Sequence, residues 1–397
     1  MSIPPNFLSS LTCQHPKVVM ERFLDKSPKS KGVAVWVWRS EVAPVDLYCY
    51  LGARFGPPNG PQNFFRNDDS DNLIHWEWVL DFPGGMVHIL GMTFRTELWL
   101  VGDLQLNEAD SAALATAIKA DFAVHGPRMS TIRKSLERWI EFANPYHRLR
   151  RAVEKLLADL KGLGLQPETE ELPDITDPAN AQIPQREELL ARYSKGLGLC
   201  FGVRSMLPVM AEAYVNFLLF ALMRPELKAD DRLRENVLRQ PIDVRIKSLH
   251  INCSGFAKAI DYASVECKAY HRLVNERNDL LHGNVVLEKL RFSEVFFNGK
   301  VPVFKEYRSM WERSVGVDIK AVGLRELFDE VATVNAVIAY LGTCMVPEIK
   351  AQIDLMAEKR DLGWNQDTGR IGIFFPDHLV DMLVVHGTSS SSLTGDA

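Results

Sequence analysis

No two of the six cysteines in this 397-residue sequence form a CxxC pair. Cys13, Cys49, Cys200, Cys253, Cys267 and Cys344 are scattered, which excludes a zinc ribbon and a disulfide framework and predicts free thiols in a reducing cytosol. The phosphate-binding GxxxxGK[ST], the dinucleotide GxGxxG, the nucleophile-elbow GxSxG and the zinc-binding HExxH are all missing. Nucleotide hydrolysis, dinucleotide redox chemistry, serine hydrolysis and zinc proteolysis therefore have no support, and neither a metal nor a cofactor is expected. A surplus of positive charge is also missing. The net charge is −5, so any contact with nucleic acid has to come from a local patch. The most apolar stretch, MLPVMAEAYVNFLLFALM at 206–223, carries Glu212 and Asn216 and falls short of the roughly 20 clean residues of a membrane span. The opening MSIPPNFLSS lacks the basic and apolar regions of a signal peptide. These absences predict a cytoplasmic protein with no membrane partner.

What is present divides the chain by composition. Residues 1–127 read as a β-rich N-terminal domain, with β-branched and aromatic runs at 33–39, 45–56, 73–82 and 86–102. The turn chemistry of GPPNGPQ (56–62), the polar RNDDSDN (66–72) and PGG (83–85) separates them. Strands in succession without helices between them predict an antiparallel sheet. A helix follows over 107–126, with Asn107 as N-cap and Gly126 as stop. A basic helical region at 128–162 is broken at Pro145, its apolar stripe running through Ile132, Leu136, Trp139 and Ile140 and resuming at Leu149, Val153, Leu156 and Leu160. Between 126 and 162 there are nine Lys/Arg and four Asp/Glu. That excess suits either a solvated helix face or a phosphate-facing surface around Arg148, Arg150 and Arg151.

LGLQPETEELPDITDPANAQIPQREE (163–188) is acidic with four prolines, and reads as a domain linker. A helical bundle is predicted at 189–350, a C-terminal extension at 351–386 and a disordered tail at 387–397. The fold class is thus α+β, an antiparallel β-rich domain with helices followed by an all-α bundle.

The chemistry concentrates in NERNDLLHGN at 275–284. Phe256, Ile260, Ala263, Cys267, Tyr270, Val274, position 277 and Leu281 alternate at spacings of four and three, the seam of a packed helix. Every seam position is apolar or aromatic except Arg277. An arginine there must be paired or must face a wet cleft. His282 brings a group that exchanges protons near neutral pH, and Gly283 lets the chain leave the helix, so that a frayed end would bring imidazole and guanidinium together. Arg245 and His250 repeat the spacing without the Asn or the Gly, and read as coincidence. Glu212 and Asn216, four apart on an otherwise apolar helix, need buried partners. Arg277 is an obvious candidate for Glu212, an internal hydrogen bond that pins the bundle is the other reading, and in either case the pair is expected to point toward the motif helix.

RNDLLHG at 277–283, closing a bundle helix, resembles the motif of the HEPN superfamily, and most closely its abortive-infection and Apea-like branch. The resemblance covers about residues 190–350. It implies a metal-independent endoribonuclease that uses the ribose 2′-hydroxyl as nucleophile and assembles its site across a homodimer formed through the helical bundle. Arg277 would then hold the scissile phosphate, His282 act as general acid or base, and Asn278 orient one or the other. Asp279 would cap or screen, and Glu212 and Asn216 would support. Such a protein is expected to take RNA as substrate, and to answer to a phage-derived trigger or a cognate inhibitor sensed through the N-terminal domain. The alternative is a non-catalytic dimerisation or nucleotide-binding protein in which the motif survives as a polar clamp.

Overall fold

The computed structural model describes residues 7–24, 32–63, 73–102, 107–172 and 183–374. It divides into two compact units, one of 1–141 with 363–397 and one of 142–362. The polar run 66–72, residues 173–182 of the acidic stretch and the tail at 387–397 lie outside the described residues, save that 163–172 and 183–188 are described.

The first unit begins with α1 (Phe7–Ser10), β1 (Thr12–Cys13), α2 (Pro16–Leu24) and β2 (Val33–Trp38). The segment 45–56, which its aromatic content assigned to a strand, is instead α3 (Pro44–Phe55). Pro44 opens it at N1 and Gly56, with φ 87°, ends it. Those are helix punctuation marks that outweigh residue preference. Leu47, Tyr50 and Leu51 turn inward at helical spacing. β3 (Trp76–Phe82), β4 (Gly85–Gly91) and β5 (Thr96–Gly102) complete an antiparallel sheet in the order β1-β3-β4-β5-β2. Residues 86–102 are thus two strands. Trp36, Trp78, Leu80, Ile89, Leu98 and Leu100 line its inner face and pack with α3 and with Leu114 and Ile118 of α4 (Glu108–Ser135).

Asn107 caps α4 in a capping box with Asp110, as its sequence suggests. The helix does not stop at Gly126. It runs through Pro127 to Ser135, because Met129 packs against the core and Ile132 lies against Gly52. Trp139 and Ile140, read as a helical stripe, belong to β6 (Trp139–Ala143), within which the chain passes to the second unit.

In the second unit Asn144 caps α5 (Pro145–Gly162), accepting from the backbone of Tyr146 at 3.1 Å and of His147 at 3.4 Å. Of the supposed linker, residues 163–172 are docked. Glu170 accepts from Arg192 and from the Tyr193 hydroxyl, and Leu165 lies against Gly196. Both contacts are to α6 (Ile183–Leu222), a 40-residue helix that spans about 60 Å. By length and composition α6 suits a membrane, but 56% of its apolar window is buried within the protein. α7 (Pro225–Ala229), α8 (Asp231–Arg239), α9 (Ile242–Asn252), α10 (Val265–His282), α11 (Leu287–Leu290), the hairpin β7 (Val295–Asn298) and β8 (Val301–Phe304), α12 (Val317–Val322), α13 (Leu327–Thr343) and α14 (Pro347–Ala357) follow. The chain leaves the unit within β9 (Asp361–Asn365), and β10 (Ile371–Gly372) pairs back antiparallel on it, Ile371 opposite Trp364.

Candidate active site

The motif helix α10 is shorter than its apolar spacing suggests. Ser264 caps it, and Phe256, Ile260 and Ala263 lie in the loop before it. That loop is tied down elsewhere. Ala257 N–H donates to the Cys344 carbonyl at 2.9 Å, Val346 N–H to Gly255 at 2.9 Å, and Asp261 N–H to the Tyr340 hydroxyl at 2.9 Å. Gly255 holds φ 87° with its α-carbon facing Ile349, where a Cβ would come within 2.8 Å. The four-and-three spacing thus continues by coincidence through a segment whose turn is fixed by glycine.

Cys267, Tyr270 and Leu273 face inward from α10, which packs against α6 and α13. The Tyr270 hydroxyl donates to the Pro208 carbonyl at 3.0 Å, and burial pushes its phenol well above the usual range. At the other end Gly283 takes φ 64°, ψ 32°. Its N–H and that of Asn284 both bond to the Asp279 carbonyl, while Asn284 Nδ2 donates to Asp279 Oδ1 at 3.0 Å. Asp279 is therefore a capping residue. The helix does not fray before His282. Five residues on an unbroken helix put Arg277 and His282 about 140° and 7.5 Å apart, so one α10 presents them on different faces.

Arg277 is half-buried. Its Nη1 donates to Asn278 Oδ1 at 2.9 Å, while its Nε is buried without an acceptor. No carboxylate pairs with it among the described residues. The expected partnership with Glu212 and Asn216 is not made. Both side chains go to Arg245, whose Nη2 bonds Glu212, Nη1 bonds Asn216, and Nε bonds the Gln240 carbonyl at 2.9 Å. Arg245, set aside in the sequence as coincidence in an irregular stretch, sits on α9 and is buried. Glu212 and Asn216 do share a face of α6, as their spacing requires, but that face meets α9. Of the two readings of this pair, the internal clamp is the one observed.

A third arginine explains the other flank of the motif. Arg204 donates to Glu330 through Nε at 2.8 Å and through Nη2, and to the Val322 carbonyl at 2.5 Å. Glu276, next to Arg277, approaches Arg204 at 3.9 Å. Burial holds the Glu330 carboxyl above its ordinary value despite Arg204. Gly323, at φ 69°, is what lets the guanidinium reach Val322, since a Cβ there would overlap Arg204 Nη1.

The outer face of α10 was not singled out from the sequence. Lys268, His271, Asn275 and His282 are exposed and fall within about 60° of arc. Lys268, His271 and Arg272 with Tyr262 and Val265 line an open cleft of about 820 Å³. Neither Lys268 nor Arg272 has a carboxylate partner among the described residues. Tyr262 lies under the Lys247 ammonium, 4.5 Å from the ring centroid, and its hydroxyl is 3.2 Å from His271 Nδ1. Burial pushes its phenol up to about 12. The signal for this face was helical spacing among polar residues, which is legible only once the helix start is known.

The basic cluster on α5 is largely neutralised. Arg150 pairs with Glu358 and Glu154, and Arg151 with Glu154 at 3.1 Å; Arg148 alone stays exposed and unpaired among the described residues. His75 and His88 hold sheet structure, bonding Thr93 at 3.0 Å and Glu77 at 2.9 Å. Among the described residues no three of His, Cys, Asp and Glu gather as metal ligands would. Compared with protein-family models, curated proteins and solved structures, the chain has no match.

Proposed function

We propose that the protein is an endoribonuclease of HEPN type, working in the cytoplasm as a growth-arresting or anti-phage effector, with Arg277, Asn278 and His282 as its catalytic residues. The observation that carries this reading is the contrast among three arginines. Arg204 and Arg245 are neutralised by Glu330 and Glu212, whereas among the described residues Arg277 meets no carboxylate and is oriented by Asn278. A cation left unpaired in a packed helix is costly unless an anion arrives to complete it, and a phosphodiester fits a guanidinium fork. His282, exposed at the end of α10, is free to work on a phosphate held by Arg277 of a second copy.

In the reaction the 2′-oxygen bonds to the adjacent phosphorus and the bond from phosphorus to the 5′-oxygen breaks. The 2′-hydroxyl proton leaves to a base, and the departing 5′-oxygen takes a proton from an acid. His282 supplies one or both transfers, a contribution of about 10²–10⁴-fold, and Arg277 neutralises charge gathering on the phosphoryl oxygens. Because one α10 turns the two side chains to different faces, the working site draws on two copies of the helix in a homodimer. The cationic outer face of α10 suits a single RNA strand leading to His282. The N-terminal unit regulates access in response to a trigger or an inhibitor.

Induced expression in a bacterial host tests the effector reading. Wild type should arrest growth, and His282→Ala and Arg277→Ala should both relieve the arrest at equal protein levels. Arrest that persists in both variants would contradict it.

A further inference from the structure

The hairpin of β7 and β8 follows the motif helix after a short connection, and both of its faces carry exposed apolar side chains. Its register sets Val295 opposite Phe304, Phe296 opposite Val303, Phe297 opposite Pro302 and Asn298 opposite Val301. One face therefore carries Val295, Phe297, Pro302 and Phe304, and the other Phe296, Val301 and Val303. Phe296 and Phe297 are 59% and 68% exposed, and Val301 and Val303 63% and 50%. A lone two-stranded hairpin is at best marginal in water, and one that is apolar on both faces needs a partner.

Its two edges differ. Lys305 N–H donates to the Glu294 carbonyl at 3.4 Å. That bond fixes the alternation along the ladder: the pairs 294/305, 296/303 and 298/301 turn their backbone groups inward, and 295/304 and 297/302 turn theirs outward. On β8 the outward position 302 is proline, which has no N–H to offer, so that edge is closed. On β7 the outward residues Val295 and Phe297 each present an N–H and C=O that bond to nothing among the described residues. Head-to-tail growth needs two open edges, whereas one open edge pairs only with its own copy.

We propose that β7 of one chain pairs antiparallel with β7 of a second copy of this chain across a two-fold axis, giving a four-stranded sheet in the order β8-β7-β7-β8. Outward residues must meet outward residues, and a register centred on Phe297 satisfies this. It sets Glu294 of each copy opposite Lys300 of the other, joining the Arg291 and Lys305 already gathered on Glu294. Gly299, at φ 62°, makes the two-residue loop that presents Lys300 there. The inference stands on the hairpin alone and does not rest on the nuclease reading.

The test is the mass of the full chain by sedimentation equilibrium at micromolar concentration, beside Phe297→Pro. Proline at 297 removes an outward N–H and leaves every bond within the hairpin intact. Wild type should sediment at twice the chain mass and Phe297→Pro at the single mass, with unchanged circular dichroism. Phe297→Cys, whose α-carbons would sit ~5.5 Å apart across the axis, should give a disulfide-linked dimer on oxidation, and Val301→Cys should not. A wild type of single mass, or a Phe297→Pro chain of double mass, overturns the proposal. Absence of the cross-link at Phe297 does the same if the proline variant fails to fold. A Phe297→Pro chain of double mass would overturn the hairpin pairing and leave the nuclease reading standing, so the two failures are distinguishable.

Discussion

Arg277 and Arg245 carry the same side chain, and what distinguishes them is company. Arg245 is locked between Glu212, Asn216 and the Gln240 carbonyl, so truncating it removes a clamp between α6 and α9. Arg245→Ala should lower the unfolding free energy by about 2 kcal/mol, less than the roughly 3–5 kcal/mol of a fully buried pair because Glu212 is partly wet. Arg277→Ala breaks no ion pair and should cost about 1 kcal/mol or less, mostly lost packing of the stem. Urea unfolding of the two variants side by side checks the ordering, and equal losses would mean that Arg277 has a structural partner. The sequence marked Arg277, Glu212 and Asn216 as polar groups in apolar surroundings, which was correct. It could not say which arginine meets Glu212, because pairing between helices depends on which face of α6 turns to α9, and no local spacing encodes that.

At the scale of elements the legible parts were those with strong punctuation and regular spacing: β2, the end of β3, the Asn107 cap and α5 after Pro145. Two errors have one physical cause. In 45–56 aromatic content suggested a strand, and in 256–263 apolar spacing suggested a helix. In both, glycine and proline geometry set the backbone instead, at Pro44 and Gly56 in the first and at Gly255 in the second. Gly323 has the same character. A side chain there meets both a left-handed backbone and the Arg204 guanidinium, so Gly323→Ala should destabilise the protein by about 2 kcal/mol. Gly283→Ala, whose Cβ meets nothing within 4 Å, should cost only about 1 kcal/mol. Thermal melts of both would show the difference, and equal shifts would remove Arg204 from the explanation.

The contact between α5 and α14 carries a pH dependence. The Arg150 guanidinium beside Glu358 holds that carboxyl below its ordinary value near 4.5. A lowered carboxylate pKa stabilises the fold above the ordinary value, and the contribution is lost as pH falls through the lowered one. Glu358 is largely exposed, so Glu358→Gln should cost only about 0.5 kcal/mol at neutral pH. The penalty should vanish in acid. Urea titrations at neutral and acidic pH check this, and a penalty that grows in acid would refute the assignment.

For the whole molecule, the chain divides within β6 and again within β9, and the acidic stretch predicted as a linker begins docked on α6. Composition located that stretch by its prolines and charge. It could not foresee that Glu170 would find Arg192 and Tyr193. The account of the molecule rests on the chemistry of α10, and a single assay addresses it most directly. Purified wild type and His282→Ala are incubated with total cellular RNA in EDTA, and the fragment ends are read. The account predicts cleavage by wild type alone, leaving 2′,3′-cyclic phosphates. Equal cleavage by both proteins would contradict it, since His282 would then have no part in the reaction.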